Sequence, residues 1–142
     1  MSFVDIKPYF RERLETVDAE LNEWQDAFDI NNIPAQIIDK AWHIVVDAIS
    51  YQGTAHECLG FAAPATLRVC LKGYRSPFEA IDNAHALADA IIKECCKAPN
   101  RLTQPNIKNV LPNLVNVREI GPSNDNLVVL EISFNLLIYI CP

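Results

Sequence analysis

The sequence predicts an α+β fold, in which a four-stranded mixed or antiparallel sheet carries two helices on one face, in the order α-β-β-α-β-β. The prediction rests on two segments with helical spacing of apolar residues and on four β-rich segments. A chain of 142 residues fits one domain spanning residues 1–142, because a domain of this size hides roughly two-thirds of its unfolded surface. Half of the residues are hydrophobic, which is enough for a core without a metal or disulfide framework.

The first helix is predicted from about Ile6 to Glu23. Its apolar residues recur at steps of three or four, which places them on one helix face; they are Ile6, Phe10, Leu14, Val17 and Leu21. Pro8 falls in the first turn, where its missing N–H costs nothing. Trp24 and Phe28 then anchor an irregular stretch that ends in a turn at residues 31–34.

Two strands and a long loop are predicted next. Residues 41–49 are β-rich, and residues 66–72 alternate with Leu67, Val69 and Leu71 inward. The intervening residues, 50–64, are predicted as a loop, and loops of this length are often functional.

The second helix has the clearest local signal. Ser76 is a predicted N-cap, Pro77 takes the first helical position, and Glu79 can reach back to the cap. The helix is predicted to continue to about Lys97 with a buried face formed by Phe78, Ile81, Ala84, Ala88, Ile91 and Cys95.

The last part of the chain predicts a hairpin. Residues 98–113 contain Pro99, Pro105 and Pro112, which argue against regular structure there. Residues 114–120 and 127–140 then form two strands around a six-residue loop. Because residues 127–140 are long and apolar, we expect them to form an edge that needs covering, by a partner or by the chain's own first strand.

Charge and cysteine content bear on the class of protein. Residues 1–50 carry ten acidic and four basic residues, which accounts for the whole net charge of −6. The lack of a basic stripe argues against tight nucleic-acid binding. Five cysteines, an adjacent pair at Cys95-Cys96 and no secretory leader predict free thiols in a reducing compartment. No apolar run approaches the length of a membrane span.

Catalytic and cofactor motifs are not found, so we predict no enzyme, no cofactor and no metal. His56 and Cys58 have no further ligand at a plausible spacing, and His43 and His85 are predicted as packed or surface side chains. The four glycines form no phosphate-binding loop. A small thiol enzyme using Cys58 or Cys96 and a ligand-binding domain remain alternatives.

The remaining features are those of an interface. The predicted loop presents Tyr51, Leu59 and Phe61 with few charges, and the sheet face opposite the helices is half-polar. The residues predicted to contact other subunits are Tyr51, Leu59, Phe61, Arg68, Lys72, Glu131 and Asn135.

The order of these segments resembles the tail terminator proteins of long-tailed bacteriophages, also called minor tail or tail-completion proteins. The resemblance rests on the acidic N-terminal helix, the segment from Ile38 to Ile44, the Ser76-Pro77 helix start and the closing strand at 127–140. It covers most of the chain and depends on order and size, without a diagnostic motif.

The resemblance implies a homohexameric ring that caps the tail tube, stops its polymerisation and joins it to the head connector. The implied partners are further copies, the tail tube protein and the head-completion protein, without a membrane. The implied location is the head-proximal end of the virion tail, and the host cytoplasm during assembly. Genomic DNA would pass without specific binding along a lumen lined by acids such as Glu12, Glu15, Asp18 and Glu20. A neighbouring neck or stopper protein is the alternative within the same class.

Overall fold

The computed structural model describes residues 2–24, 39–72, 77–97, 106–119 and 127–141. The elements in chain order are a 3-10 helix at Ser2–Asp5, α1 (Ile6–Val17), β1 (Asn22–Glu23), β2 (Ala41–Val46), β3 (Ser50–Ala55), β4 (Cys58–Lys72), α2 (Pro77–Cys95), β5 (Ile107–Glu119) and β6 (Leu127–Ile140). None of the helices in these ranges is long and apolar enough to cross a membrane.

Within the described ranges, six strands form one mixed sheet in the order β1-β2-β4-β6-β5, with β3 also paired to β4. All the pairs are antiparallel except β1 with β2. The α+β class and the two helices are therefore confirmed, but the predicted number of four strands is too low. The two strands that were not predicted are β1, which is very short, and β3, which lies in the segment predicted as a loop.

Both helices pack on the same face of the sheet. The core includes alternate residues of the central strands β4 and β6, and Phe10 of α1 lies 5.2 Å from Phe134, centroid to centroid. Leu67, Val69 and Leu71 point inward as predicted, and so do Leu130, Ile132, Phe134 and Leu136. The other side of the sheet, which carries Thr66, Arg68, Glu131 and Ser133, is called the open face below.

The first helix is shorter than predicted, because it ends at Val17 and not at Glu23. The Asp18 carboxylate accepts a hydrogen bond from the Glu20 N–H at 2.9 Å and another from Lys40 Nζ at 2.8 Å. These bonds turn the chain toward the sheet margin, where Asn22 pairs with Ala41. Leu21 is still buried, so the helical spacing identified a buried residue but extended the helix across a turn.

The predicted loop at 50–64 is instead a β-hairpin. β3 and the first half of β4 pair antiparallel, and the two residues that join them, His56 and Glu57, have φ angles of 52° and 65°. Positive φ at both central positions is typical of the two-residue turns whose twist matches a hairpin. The prediction was wrong because the turn lacks the Asn-Gly signal that usually marks it. The strand predicted at 41–49 correspondingly ends at Val46.

The second helix begins at Pro77, as predicted, and ends at Cys95; the proposed cap Ser76 lies outside the described residues. Ala84, Ala88, Ile91 and Cys95 are buried as expected and Ile81 is partly buried. Phe78 was predicted to be buried but is 75% exposed. It lies in the first turn, and Ala80 occupies the buried position there.

The strand β5 begins at Ile107, within the segment predicted to be irregular. It contains Pro112, next to a register shift between Pro112 and Leu114. Proline is tolerated at a sheet edge, where no further strand needs its N–H. The hairpin of β5 and β6 is confirmed. β6 itself is not an edge, because it lies between β4 and β5.

Candidate subunit interface

The residues predicted to form an interface separate onto the two sides of the sheet. Tyr51, Leu59 and Phe61 lie on the helix side, near the tip of the β3–β4 hairpin, where Phe61 pairs with Ile138. Arg68, Lys72, Glu131 and Asn135 lie on the open face, because they alternate with buried core residues of β4 and β6. The structure therefore brings the predicted residues together as two groups and not as one.

The hairpin group is partly packed within the chain. The ring of Phe61 contacts Phe3 at 5.3 Å and Tyr51 at 5.8 Å, both edge to face. The Tyr51 hydroxyl and the Thr54 hydroxyl are 2.7 Å apart and share a hydrogen bond. Tyr51 remains 56% exposed and Leu59 39% exposed, so this end of the molecule presents a preformed aromatic surface.

A carboxylate bound by two guanidinium groups lies at the centre of the open face. Glu131 Oε1 is 2.9 Å from Arg68 Nη2 and 2.8 Å from Arg118 Nη2. The three residues belong to β6, β4 and β5, so the ion pairs cross three neighbouring strands.

The open face is more exposed toward the hairpin end of the sheet. Asn135 is exposed and lies level with Pro64 on β4 and Leu111 on β5. At the opposite end, Cys70 and Val129 are fully buried on the same face. The Lys72 backbone N–H donates a hydrogen bond to Asp39 Oδ1 at 2.9 Å at this buried end. Lys72 therefore lies at the buried end of the open face, and Asn135 lies at its exposed end.

The outer margin of β5 is the exposed edge that sequence reasoning missed. Residues 111–116 are all exposed, and they include Leu111 (54%), Leu114 (61%) and Val115 (39%). Within the described sheet β5 pairs only with β6. A long apolar edge with an unpaired row of backbone groups readily accepts another strand. The available signal was Pro112 inside an apolar segment, which is typical of an edge strand.

The four acids that the resemblance placed in a lumen do not share one environment. Glu12 and Glu15 are exposed on α1. Asp18 and Glu20 both contact Lys40, at 2.8 Å and 2.9 Å. The hydrogen bond from Lys40, together with that from the Glu20 N–H, lowers the pKa of Asp18. Asp18 and Glu20 therefore add less uncompensated negative charge than their number suggests.

No model of a known protein family matches this sequence, and no curated protein matches it either.

One pair of cysteines is disulfide-bonded, whereas free thiols were predicted. Cys58 and Cys141 form a disulfide that ties the start of β4 to the residue after β6, so the expectation of five free thiols was wrong for these two. Their separation of 83 residues gave no sequence signal for the pairing, whereas in the sheet Leu59 and Ile140 are partners.

The three cysteines outside the disulfide, Cys70, Cys95 and Cys96, are poorly suited to nucleophilic chemistry. Burial raises the pKa of Cys70 to about 11 and that of Cys95 to about 12, and it also raises the pKa of Cys96. A nucleophilic cysteine needs the opposite shift, toward the thiolate. His56 lies in the hairpin turn and Cys58 is in the disulfide; in the ranges that the structure describes, no three potential ligands cluster to hold a metal ion.

Proposed function

We propose that this chain is a structural ring subunit of a bacteriophage tail, which caps the tail tube, ends its growth and joins it to the head connector. The observation that carries the proposal is the outer margin of β5, where Leu111, Leu114 and Val115 are exposed along a thirteen-residue strand. An edge of this length that stayed uncovered would be an aggregation hazard, so a protein that functions in an assembly accounts for it best.

The proposal explains why apolar residues are exposed at more than one place. A ring is built from heterologous contacts, in which one patch of each subunit meets a different patch of its neighbour. The β5 margin and the aromatic hairpin end with Tyr51 and Phe61 supply two distinct apolar surfaces. A contact with the tail tube or the connector requires a further surface, for which the open face around Glu131 is available.

The acids of α1 support passage of DNA without binding. Glu12 and Glu15 are exposed on this helix, and phosphates are repelled by carboxylates. If α1 lines the lumen, these exposed acids contribute to the effect together with Asp18 and Glu20, whose two charges Lys40 offsets by one.

Tube growth in the presence of the purified protein tests the proposal. Tail tube protein of the same virus is polymerised with and without this chain, and tube lengths and ends are measured by negative-stain electron microscopy. We expect capped ends and a length that stops increasing. Tubes that elongate at the same rate with bare ends would contradict the proposal.

The place where the chain binds distinguishes a neck or stopper protein from a tail terminator. A labelled copy of the chain should bind the end of isolated tail tubes that lack heads. Binding to tail-less heads alone would favour the neck protein instead.

A further inference from the structure

The sheet has a second open margin opposite β5. β2 and β3 pair with the same side of β4, Val46 with Ala65 and Ser50 with Ala62, so together they behave as one long strand with an irregularity between them. β1 covers the outer side of this strand only at Ala41 and Trp42. In the described part of the chain, the margin from residue 44 to residue 55 therefore pairs with no outer strand, and its length is similar to that of β5.

The strand directions suit a repeating arrangement. β2 and β3 run antiparallel to β4, β6 runs antiparallel to β4, and β5 runs antiparallel to β6. Hence β5 runs opposite to β2 and β3. A neighbouring copy related by rotation about an axis along the strands keeps the same orientation, so its β2–β3 margin would meet β5 in the antiparallel sense.

Exposed apolar side chains are concentrated on these two margins. The exposed large hydrophobic residues of the described chain are Phe3, Val45, Tyr51, Leu59, Phe78, Leu111, Leu114 and Val115, and five of these lie on β2, β3 or β5. Leu111, Leu114 and Val45 share the open face, while Val115 and Tyr51 share the helix side. A joined sheet would bring apolar residues together on both of its faces.

Charge also favours contact between unlike margins. Residues 44–55 contain Asp47 and no lysine or arginine. β5 contains Lys108 and Arg118 with one acid, Glu119, and Arg118 also pairs with Glu131 of the same chain. Two copies of the same margin would bring like charges together, whereas the two different margins have opposite net charge, which promotes specific pairing.

We infer that β5 of one copy pairs antiparallel with the β2–β3 margin of the next copy, so that the sheet continues from subunit to subunit around the ring. This inference rests on the proposed ring function and deepens it by assigning the contact. The interface is heterologous, and it closes into a ring when the rotation between copies divides a full turn. Pro112 has no backbone N–H, so β5 lacks one hydrogen-bond donor. The neighbouring strand must therefore pair in a register in which no acceptor needs that donor.

Two double variants test the contact, each with lysines on one margin. Leu114→Lys with Val115→Lys alters β5, and Val45→Lys with Tyr51→Lys alters the opposite margin. All four side chains are exposed, so circular dichroism should show the fold retained. Phe78→Lys, at an exposed position on α2 that belongs to neither margin, is the control and should assemble as the wild type does.

Assembly is read from cross-linked species and from mass by light scattering. We expect each double variant alone to stay monomeric. An equimolar mixture should yield dimers containing one of each and no larger ring, because only one of its two junctions is intact. A double variant that forms rings by itself, a double variant that forms homodimers, or a mixture of folded variants that never cross-links would overturn the inference.

Measurements on the wild-type protein distinguish failure of the strand contact from failure of the proposed function. If the wild type assembles and caps tubes while both double variants do the same, the strand contact is wrong and the function stands. If the wild type neither self-associates nor binds tubes, the proposed function itself fails.

Discussion

The buried hydroxyl of Tyr9 donates a hydrogen bond to the backbone carbonyl oxygen of Cys95. The bond joins the first turn of α1 to the last residue of α2, and it satisfies a carbonyl that the helix end leaves without an intrahelical partner. Burial raises the pKa of Tyr9 to about 12, against the smaller opposing effect of Arg13, so the hydroxyl stays protonated and can serve as a donor at neutral pH.

Replacing Tyr9 by Phe should lower the free energy of unfolding by about 1–2 kcal/mol, because a buried carbonyl loses its donor. Urea denaturation measures the change. The control is Tyr51→Phe, whose hydroxyl contacts Thr54 at the exposed hairpin; we expect a change within about 0.5 kcal/mol there. Equal losses in the two variants would contradict the assigned role of the Tyr9 bond.

Lys40→Asn tests the ion pairs that hold the end of α1. Lys40 has a φ of 66°, which Asn also tolerates, so the substitution removes the ammonium without new backbone strain. We expect a loss of about 0.5–1 kcal/mol near neutral pH, reduced by salt. Lys93→Asn, which breaks the more exposed pair with Asp89, should cause no measurable loss.

The same variant has a predicted pH signature. Lys40 lowers the pKa of Asp18 in the folded protein, so the stabilisation is present above the ordinary pKa of aspartate and is lost as pH falls through the lowered value. Between about pH 5 and pH 2 the wild type should therefore lose more stability than Lys40→Asn. Parallel stability curves over this range would show that the pair does not act as described.

Substitutions in the hairpin turn are predicted to stabilise the protein. His56 and Glu57 both have positive φ, which is unfavourable for residues with a β-carbon and suits Asn-Gly. His56→Asn with Glu57→Gly should raise the free energy of unfolding by about 1 kcal/mol. His56→Ala with Glu57→Ala keeps the β-carbons and should give no gain. Thermal melts of both variants measure this difference, and equal melting temperatures would contradict the prediction.

Thiol titration tests the disulfide and the buried cysteines. Without reductant, the denatured protein should show three reactive thiols, and the reduced, denatured protein five. In the folded protein at pH 8, Cys96 should react before Cys70 and Cys95, because those two are fully buried with raised pKa values. Five thiols without reduction, or rapid labelling of Cys95 in the folded state, would contradict the structure.

Periodicity was a sufficient guide where one side of an element faces the core. The alternation around Leu67 and Phe134 and the Pro77 helix start were predicted correctly, because a repeat of two or 3.6 residues follows directly from burial. The helix end at Val17 was not predicted correctly, because Leu21 continues the apolar spacing after the chain has turned. There one of the two bonds that Asp18 accepts comes from Lys40, which is distant in sequence.

The exposed apolar surface was predicted less well than the core for a related reason. Tyr51 and Leu59 were identified as exposed apolar residues, yet the edge at Leu114 was assigned to β6. Which strand lies at an edge depends on the order of strands in the sheet, and alternation within a strand does not encode that order. Pro112 was the local clue, and it was interpreted as a break in structure and not as the mark of an edge strand.

The mass of the purified wild-type protein in solution tests the central claim most directly. Mass photometry or native mass spectrometry over a range of concentrations should show a closed species of about six times the 15.9 kDa chain, without open-ended growth. A folded protein that stays at 15.9 kDa at every concentration, with and without tail tubes, would contradict the account.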